Sequence, residues 1–223
     1  MGDQKVIALN DITLDIAPRE ITCILGVSGS GKSTLLNMMA GLEKPTRGSI
    51  NIYGTRIEKL SERELAKFRQ RNVGFVFQSY NLLPALTALE NVCLPLTFRG
   101  IPRKTREKLA MEMLEAVGLK KHAQHKPSQM SGGQQQRVGI ARAFVSKAKV
   151  VFADEPTGNL DSATTREIMD LIVKISKENG QNLIIVTHDI GVANYADRII
   201  HLLDGNIEKI ENNERSGVKT SGS

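Results

Sequence analysis

Five short apolar runs, at residues 21–25, 73–77, 150–153, 183–187 and 199–203, recur along the chain, and stretches of helical periodicity separate them. Runs this short and rich in Val, Ile and Leu read as strands buried on both faces, so the alternation predicts a largely parallel sheet with helices on either side. An edge strand is expected at residues 50–53, closed by Gly54, and Ser61-Glu62-Arg63-Glu64 reads as a capping box opening a helix toward Arg71. From residue 79 to about 130 the strand signal disappears. Helical patterns replace it: Thr87-Ala88-Leu89-Glu90 is another capping box, and residues 104–117 form a helix ended by Gly118. The organisation expected is an α/β core from residues 1–78 and 131–211, an inserted helical lobe at 79–130, and a polar, flexible tail at 212–223.

The 223 residues, 40% of them hydrophobic, suffice for one α/β domain with an added lobe. No apolar run approaches the roughly 18 residues that span a bilayer, and Met1-Gly2-Asp3-Gln4-Lys5 lacks the basic-then-apolar layout of a secretion signal. A soluble, cytoplasmic chain is expected. Cys23 and Cys93 have no metal-ligand spacing and read as reduced, small apolar residues. The net charge of +6 is diffuse, and the densest basic cluster, Lys120, Lys121, His122, His125 and Lys126, has no interleaved aromatic residue to stack bases. No nucleic acid partner is expected.

Between the first apolar run and a helix expected over residues 33–40 stands Gly26-Val27-Ser28-Gly29-Ser30-Gly31-Lys32-Ser33, a complete G-x-x-x-x-G-K-[ST] loop followed by Thr34. Its three glycines remove the Cβ atoms that would block close approach, so backbone N–H groups can converge on phosphate oxygens at the positive end of a helix. Lys32 is expected to neutralise the β and γ phosphates, and the Ser33 hydroxyl to hold Mg²⁺. The loop alone leaves kinases, GTPases, motors and transport ATPases open.

Residues 150–153 deliver two acids, Asp154 and Glu155, to the carboxyl end of a strand, where ligands of open α/β sheets bind. Asp154 is suited to hold Mg²⁺, and Glu155 to polarise the water that attacks the γ-phosphate. A Glu of ordinary pKa, about 4.3, is a weak base at neutral pH, so positioning and exclusion of water must supply much of the effect. Ser131-Gly132-Gly133-Gln134 opens a helix over residues 134–144 and forms a second anion site, which suggests that it reaches a triphosphate bound elsewhere.

With the phosphate loop, Gln78, Met130-Ser131-Gly132-Gly133-Gln134, Asp154-Glu155, Asn159-Leu160-Asp161 and His188 resemble, in kind and order, the ATP-binding subunits of ABC transporters over nearly the whole chain. Singly, Gln78 reads as a strand-end amide, His188 as a helix-cap histidine and Asp161 as the N-cap of a helix over residues 162–177. The resemblance implies a P-loop NTPase core with a mostly parallel sheet, an inserted helical lobe and an N-terminal antiparallel β portion. It implies ATP hydrolysis coupled to membrane transport, with ATP and Mg²⁺ as cofactors.

Residue by residue, the resemblance places Thr34 with the loop in the nucleotide site and Gln78 at the metal or attacking water. It places Ser131, Gly132, Gly133 and Gln134 on the opposing subunit's γ-phosphate, Asp161 across the dimer seam, and His188 on the γ-phosphate. Glu155, His188 and Gln78 then form the catalytic set, and Ser33, Gln78 and Asp154 the metal set. The implied partners are a second copy or related ATPase subunit, in a nucleotide sandwich, and a separate transmembrane subunit. The chain would sit peripherally on the inner face of the cell membrane. Residues 75–82, 86–92 and 156–161 resemble the lipoprotein-release and macrolide-export subgroup.

A chromosome or DNA-repair ATPase head shares this chemistry, but residues 79–130 are too short for its coiled coils and lack sustained heptads. A small-molecule kinase would leave Ser131 to Gln134 without a task. Two departures from the family pattern stand out. Met130 occupies a position where the family usually has Leu, a swap of similar volume. The family also places a strand and an adenine-stacking aromatic before Ala8-Leu9-Asn10-Asp11-Ile12, whereas Tyr53 is the first aromatic residue of this chain; the phosphate contacts do not require that aromatic.

Overall fold

The computed structural model describes residues 7–213. In chain order the elements are β1 (Ile21–Leu25), α1 (Lys32–Met39), β2 (Asn51–Ile52), β3 (Thr55–Arg56), α2 (Glu62–Asn72), β4 (Val73–Phe77), α3 (Ala88–Phe98) and α4 (Arg103–Ala116). They continue with α5 (Gly132–Phe144), β5 (Val150–Asp154), α6 (Ser162–Asn179), β6 (Asn182–Thr187), α7 (Ile190–Ala193), β7 (Arg198–Leu203) and β8 (Asn206–Asn212). The main sheet has the order β4-β5-β6-β1-β7-β8, with every pair parallel except β7 and β8.

Because side chains alternate across a strand, the buried runs supply two cores. Cys23 and Leu25 of β1, Val151 of β5 and Ile185 of β6 face α3 to α7, together with the fully buried Phe144. Ile24, Phe152, Ile184 and Val186 face the other way, onto Leu35 and Leu36 of α1. The first core continues without a break into Val92 of α3 and Leu114 of α4, so the helices between β4 and α5 rest on the same apolar mass as the sheet. Fully buried Asn91 fastens the preceding loop to α3: it accepts from Leu83 N at 2.8 Å and donates to the carbonyls of Leu83, Leu86 and Thr87.

The capping boxes read in the sequence form, at Ser61 with Glu64, Thr87 with Glu90, and Ser131 with Gln134. Two features differ from the expectation. The edge strand at residues 50–53 is only Asn51–Ile52, paired with β3 in a two-stranded hairpin outside the main sheet. That hairpin is the N-terminal antiparallel portion among the described residues before β4, since residues 7–20 run without a strand. Finally, β8 extends the sheet antiparallel through Asn212, a position assigned to the flexible tail, and Asn213 N donates to Asp197 O at 2.8 Å. The rest of that expected tail lies outside the described residues.

Candidate nucleotide site

β1, β5 and β6 run parallel and end on the same side, and their carboxyl ends open into a cleft of about 590 Å³. Ser28, Gly29, Gly31, Lys32, Ser33 and Thr34 form one wall. Asp154, Glu155, Val186 and His188 form another, and Ile7, Ala8, Asp204 and Gly205 a third. The sequence-predicted loop, the acid pair and His188 therefore meet. Gly26 and Ser30 sit beneath the cleft; Gln78, Ser131 to Gln134 and Asp161 lie outside its walls.

The start of α1 suits an anion. Gly31, its N-cap, offers no capping side chain, and the first turn contains no acid, so the leading amides and the helix dipole face the cleft unopposed. Lys32 is 7% exposed, and its Nζ donates to Val27 O at 2.7 Å, spanning the loop and holding the charge at its centre. The glycines also meet the protein's own backbone. A Cβ on Gly29 would meet nothing, whereas one on Gly26 would lie 2.3 Å from Leu202 O and one on Gly31 2.6 Å from Ala8 O. Two of the three therefore permit close contact with neighbouring backbone, and Gly31 also has φ 100°, which side chains rarely adopt.

Glu155 leaves β5 with φ 44°, a left-handed conformation that costs a non-glycine residue about 1–3 kcal/mol and that clusters at functional sites. The bend is held by Glu155 N donating to Val186 O at 2.9 Å. It turns the carboxylate between two donors: Thr187 Oγ1 at 3.0 Å from Oε2, and His188 Nδ1 at 2.8 Å from Oε1. With an ionised carboxylate opposite, Nδ1 carries the hydrogen. Thr187 escaped the sequence reading because it ends an apolar run and belongs to no motif; its position opposite Glu155 emerges only from the parallel pairing of β5 and β6.

Asp154 has its carboxyl raised above the ordinary Asp range, first by burial and then by the adjacent Glu155 charge, with Lys32 opposing. Asp154 and the exposed Ser33 hydroxyl line the same cleft, an oxygen pair that fits a divalent metal, whose charge would offset the cost of ionising Asp154. Burial pushes the Cys23 thiol up to about 12, with Glu155 adding to it, in keeping with an inert apolar role. In the cleft no aromatic residue appears among the described residues: Tyr53 instead donates to Asn182 Oδ1 at 2.6 Å and lies under Lys149.

Outside the cleft, contacts tie the segment after β4 to α5, and α5 to the segment after the acids. Arg142 of α5 donates to Tyr80 O at 2.8 Å and to Asn81 O at 2.5 Å, tying the loop after β4 to the helix that Ser131 caps. A Cβ on Gly132 would lie 2.8 Å from the Tyr80 hydroxyl, and one on Gly158 2.7 Å from Gln78 Nε2, so both glycines admit a neighbouring side chain. Buried Gln136 donates to Pro156 O, linking α5 to the segment after the acids. Met130 is 8% exposed and joins the larger core, as a volume-similar replacement should.

Asp161 caps α6, accepting from Ala163 N and Thr164 N, both at 3.0 Å, and from Thr164 Oγ1 at 2.7 Å. The Thr164 amide first, and then its hydroxyl, hold this carboxyl below the ordinary Asp value of 3.8. A depressed folded-state value means that the cap's ionic contribution is present above pH 3.8 and disappears as pH falls through the folded value. Asp161→Asn, which caps without ionising, should therefore unfold with a shallower loss of thermal stability on acidification, read from melting temperatures across that window.

The ABC transporter family profile matches residues 9–158. An uncharacterized ABC transporter ATP-binding protein of Thermotoga maritima is 48% identical over 218 residues, covering 98% of this chain and 92% of that protein. The lipoprotein-releasing system ATP-binding protein LolD of Bacteroides fragilis is 47% identical over 199 residues, 89% of this chain and 92% of its own length. Among solved structures, a dimeric post-hydrolysis state of the ATP-binding cassette MJ0796 bound to ADP and Pi superposes with a TM-score of 0.86 at 46% identity, covering 95% of this chain and 93% of that one. The chain belongs to the ABC transporter family, as one of its ATP-binding, ATP-hydrolysing subunits.

Proposed function

We propose that two copies of the chain, or one copy and a related subunit, sandwich two Mg²⁺-ATP molecules head to tail, each phosphate loop facing the partner's Ser131 to Gln134 segment. The observation that carries this reading is the meeting of Lys32, Asp154 and Glu155 in one cleft, with both Glu155 oxygens fixed by hydrogen bonds. The capped tip of α5 lies outside that cleft, free to serve a second nucleotide.

In this reading the loop amides and Lys32 hold the phosphates, and Thr187 and His188 aim the Glu155 carboxylate at a water on the γ-phosphorus. Attack forms a new O–P bond, the bond to the bridging β–γ oxygen breaks, and ADP and phosphate leave. Mg²⁺, when bound, supplies charge neutralisation on the phosphates, with Ser33 and Asp154 as its holders and Gln78 joining them by its motif. His188 lies 68% exposed beside Glu155, and in this reading it meets the γ-phosphate from the solvent side. Asp161 is assigned to the dimer seam.

Hydrolysis removes the phosphate that bridges the halves, so the dimer opens and moves a separate membrane subunit through the helices between β4 and α5. In this reading the chain sits peripherally on the inner membrane face beside that subunit; no helix among the described residues is long and apolar enough to cross a membrane. The likeness to LolD, a lipoprotein-releasing system ATP-binding protein, supports the same subgroup for this chain, without naming its cargo. The DNA-repair alternative has no observation in its favour. Gel filtration of Glu155→Gln with ATP should give a dimer that returns to monomer when ATP is removed; a monomer at all ATP concentrations would contradict the sandwich.

A further inference from the structure

The turn between β7 and β8 grips the phosphate loop from below. Asp204 and Gly205 both have positive φ, 45° and 75°, the conformation of a tight two-residue hairpin turn. Gly205 N donates to Ser30 O at 3.0 Å, and Gly205 O accepts from Asn10 N at 2.8 Å. The turn is braced by Asn206 Nδ2 donating to Asp204 O at 2.9 Å and by Asn10 Nδ2 donating to Asn206 Oδ1 at 3.0 Å. A Cβ on Gly205 would lie 2.8 Å from Ala8 O, and one on Gly31 would lie 2.6 Å from the same oxygen and 3.6 Å from Gly205 Cα. The loop thus leans on this hairpin through Gly26 over Leu202, Ser30 on Gly205, and Gly31 beside it.

We propose that the Asp204-Gly205 turn positions the phosphate loop for nucleotide, with Gly205 as the positioning residue: its missing side chain lets three backbone segments meet, and its amide fixes the peptide that precedes Gly31 and Lys32. Burial of the Ser30 side chain at 1% exposure, with its hydroxyl unpartnered, shows how tightly that peptide is enclosed. A shift of the Ser30 carbonyl would turn the next amides away from a bound phosphate, since they belong to the same rigid turn. The proposal rests on the reading that this loop holds the phosphates of ATP.

The test compares Gly205→Ala with Gly54→Ala. Gly54 has a similar φ of 82° but open space around it, so its variant carries the backbone strain without the collision. Gly205→Ala should raise the KM for ATP by about tenfold or more, with kcat at saturating ATP within about twofold, because displaced groups lose binding that saturating nucleotide restores. Gly54→Ala should lower melting temperature and leave KM unchanged. Equal KM values in the two variants would overturn the proposal. If Gly205→Ala does not fold, Asn206→Ala decides: a KM raised about threefold, the worth of one hydrogen bond, supports it, and an unchanged KM overturns it. Lys32→Ala separates the two levels, because undiminished ATP binding there would sink the phosphate-loop reading itself, whatever Gly205 does.

Discussion

Replacing Glu155 with Gln should slow ATP hydrolysis by about 10²–10⁴-fold, the range spanned by loss of a general base, while ATP binding is retained or tightened. The amide keeps one oxygen for Thr187 or His188, so the bend after β5 and its geometry survive. What disappears is the ability to take a proton from water, and with it a negative charge close to the phosphates. Phosphate release measured at saturating ATP gives the rate, and equilibrium titration gives the affinity. A variant that hydrolyses ATP within about threefold of the parent would assign the base elsewhere, since even a modest general base contributes more than that.

Lys32→Ala should weaken ATP binding by about 2–5 kcal/mol, or roughly thirty- to several-thousand-fold, because the ammonium is nearly fully desolvated and aimed into the loop. Its present acceptor, Val27 O, would lose a donor, and Val27 itself is 61% exposed, so water can replace the hydrogen bond. The melting temperature without nucleotide should therefore change little, whereas the rise on adding ATP should vanish. The two variants separate the stages of the reaction: one binds without turning over, the other fails to bind.

The parts of this protein legible in its sequence are those where a local pattern carries a global meaning. Buried parallel strands are apolar throughout, so β1, β4, β5 and β6 were legible as runs, and the capping boxes at Ser61, Thr87 and Ser131 needed only residues three positions apart. β8 is an edge strand of mostly polar residues, Asn206-Ile207-Glu208-Lys209-Ile210-Glu211-Asn212, and no apolar run announces it. Asp204-Gly205 is the signal that could have revealed it, since that dipeptide between two extended segments marks a tight hairpin.

At the site, the loop and acid pair were legible because their motifs fix both chemistry and local geometry. The contact between Thr187 and Glu155, and the support that Gly205 lends Ser30, depend on segments 32 and 175 residues apart in the chain. Only the sheet order brings them together: β5 beside β6 sets Thr187 against Glu155, and β1 beside β7 sets the phosphate loop against the turn at Gly205. The glycines illustrate the same limit: their presence was read as room for phosphate, while at Gly26 and Gly31 the room is taken by backbone of β7 and of the segment before β1.

A crystal structure of the protein with Mg²⁺ and a nonhydrolysable ATP analogue tests the nucleotide sandwich most directly, through the distance from Ser131 of one protomer to the γ-phosphorus on its partner. The account predicts a head-to-tail pair in which the Ser131 hydroxyl and the leading amides of α5 lie within hydrogen-bonding reach, about 3 Å, of γ-phosphate oxygens on the opposite phosphate loop. Analogue bound on the loop with the tip of α5 far from every terminal phosphorus would contradict it.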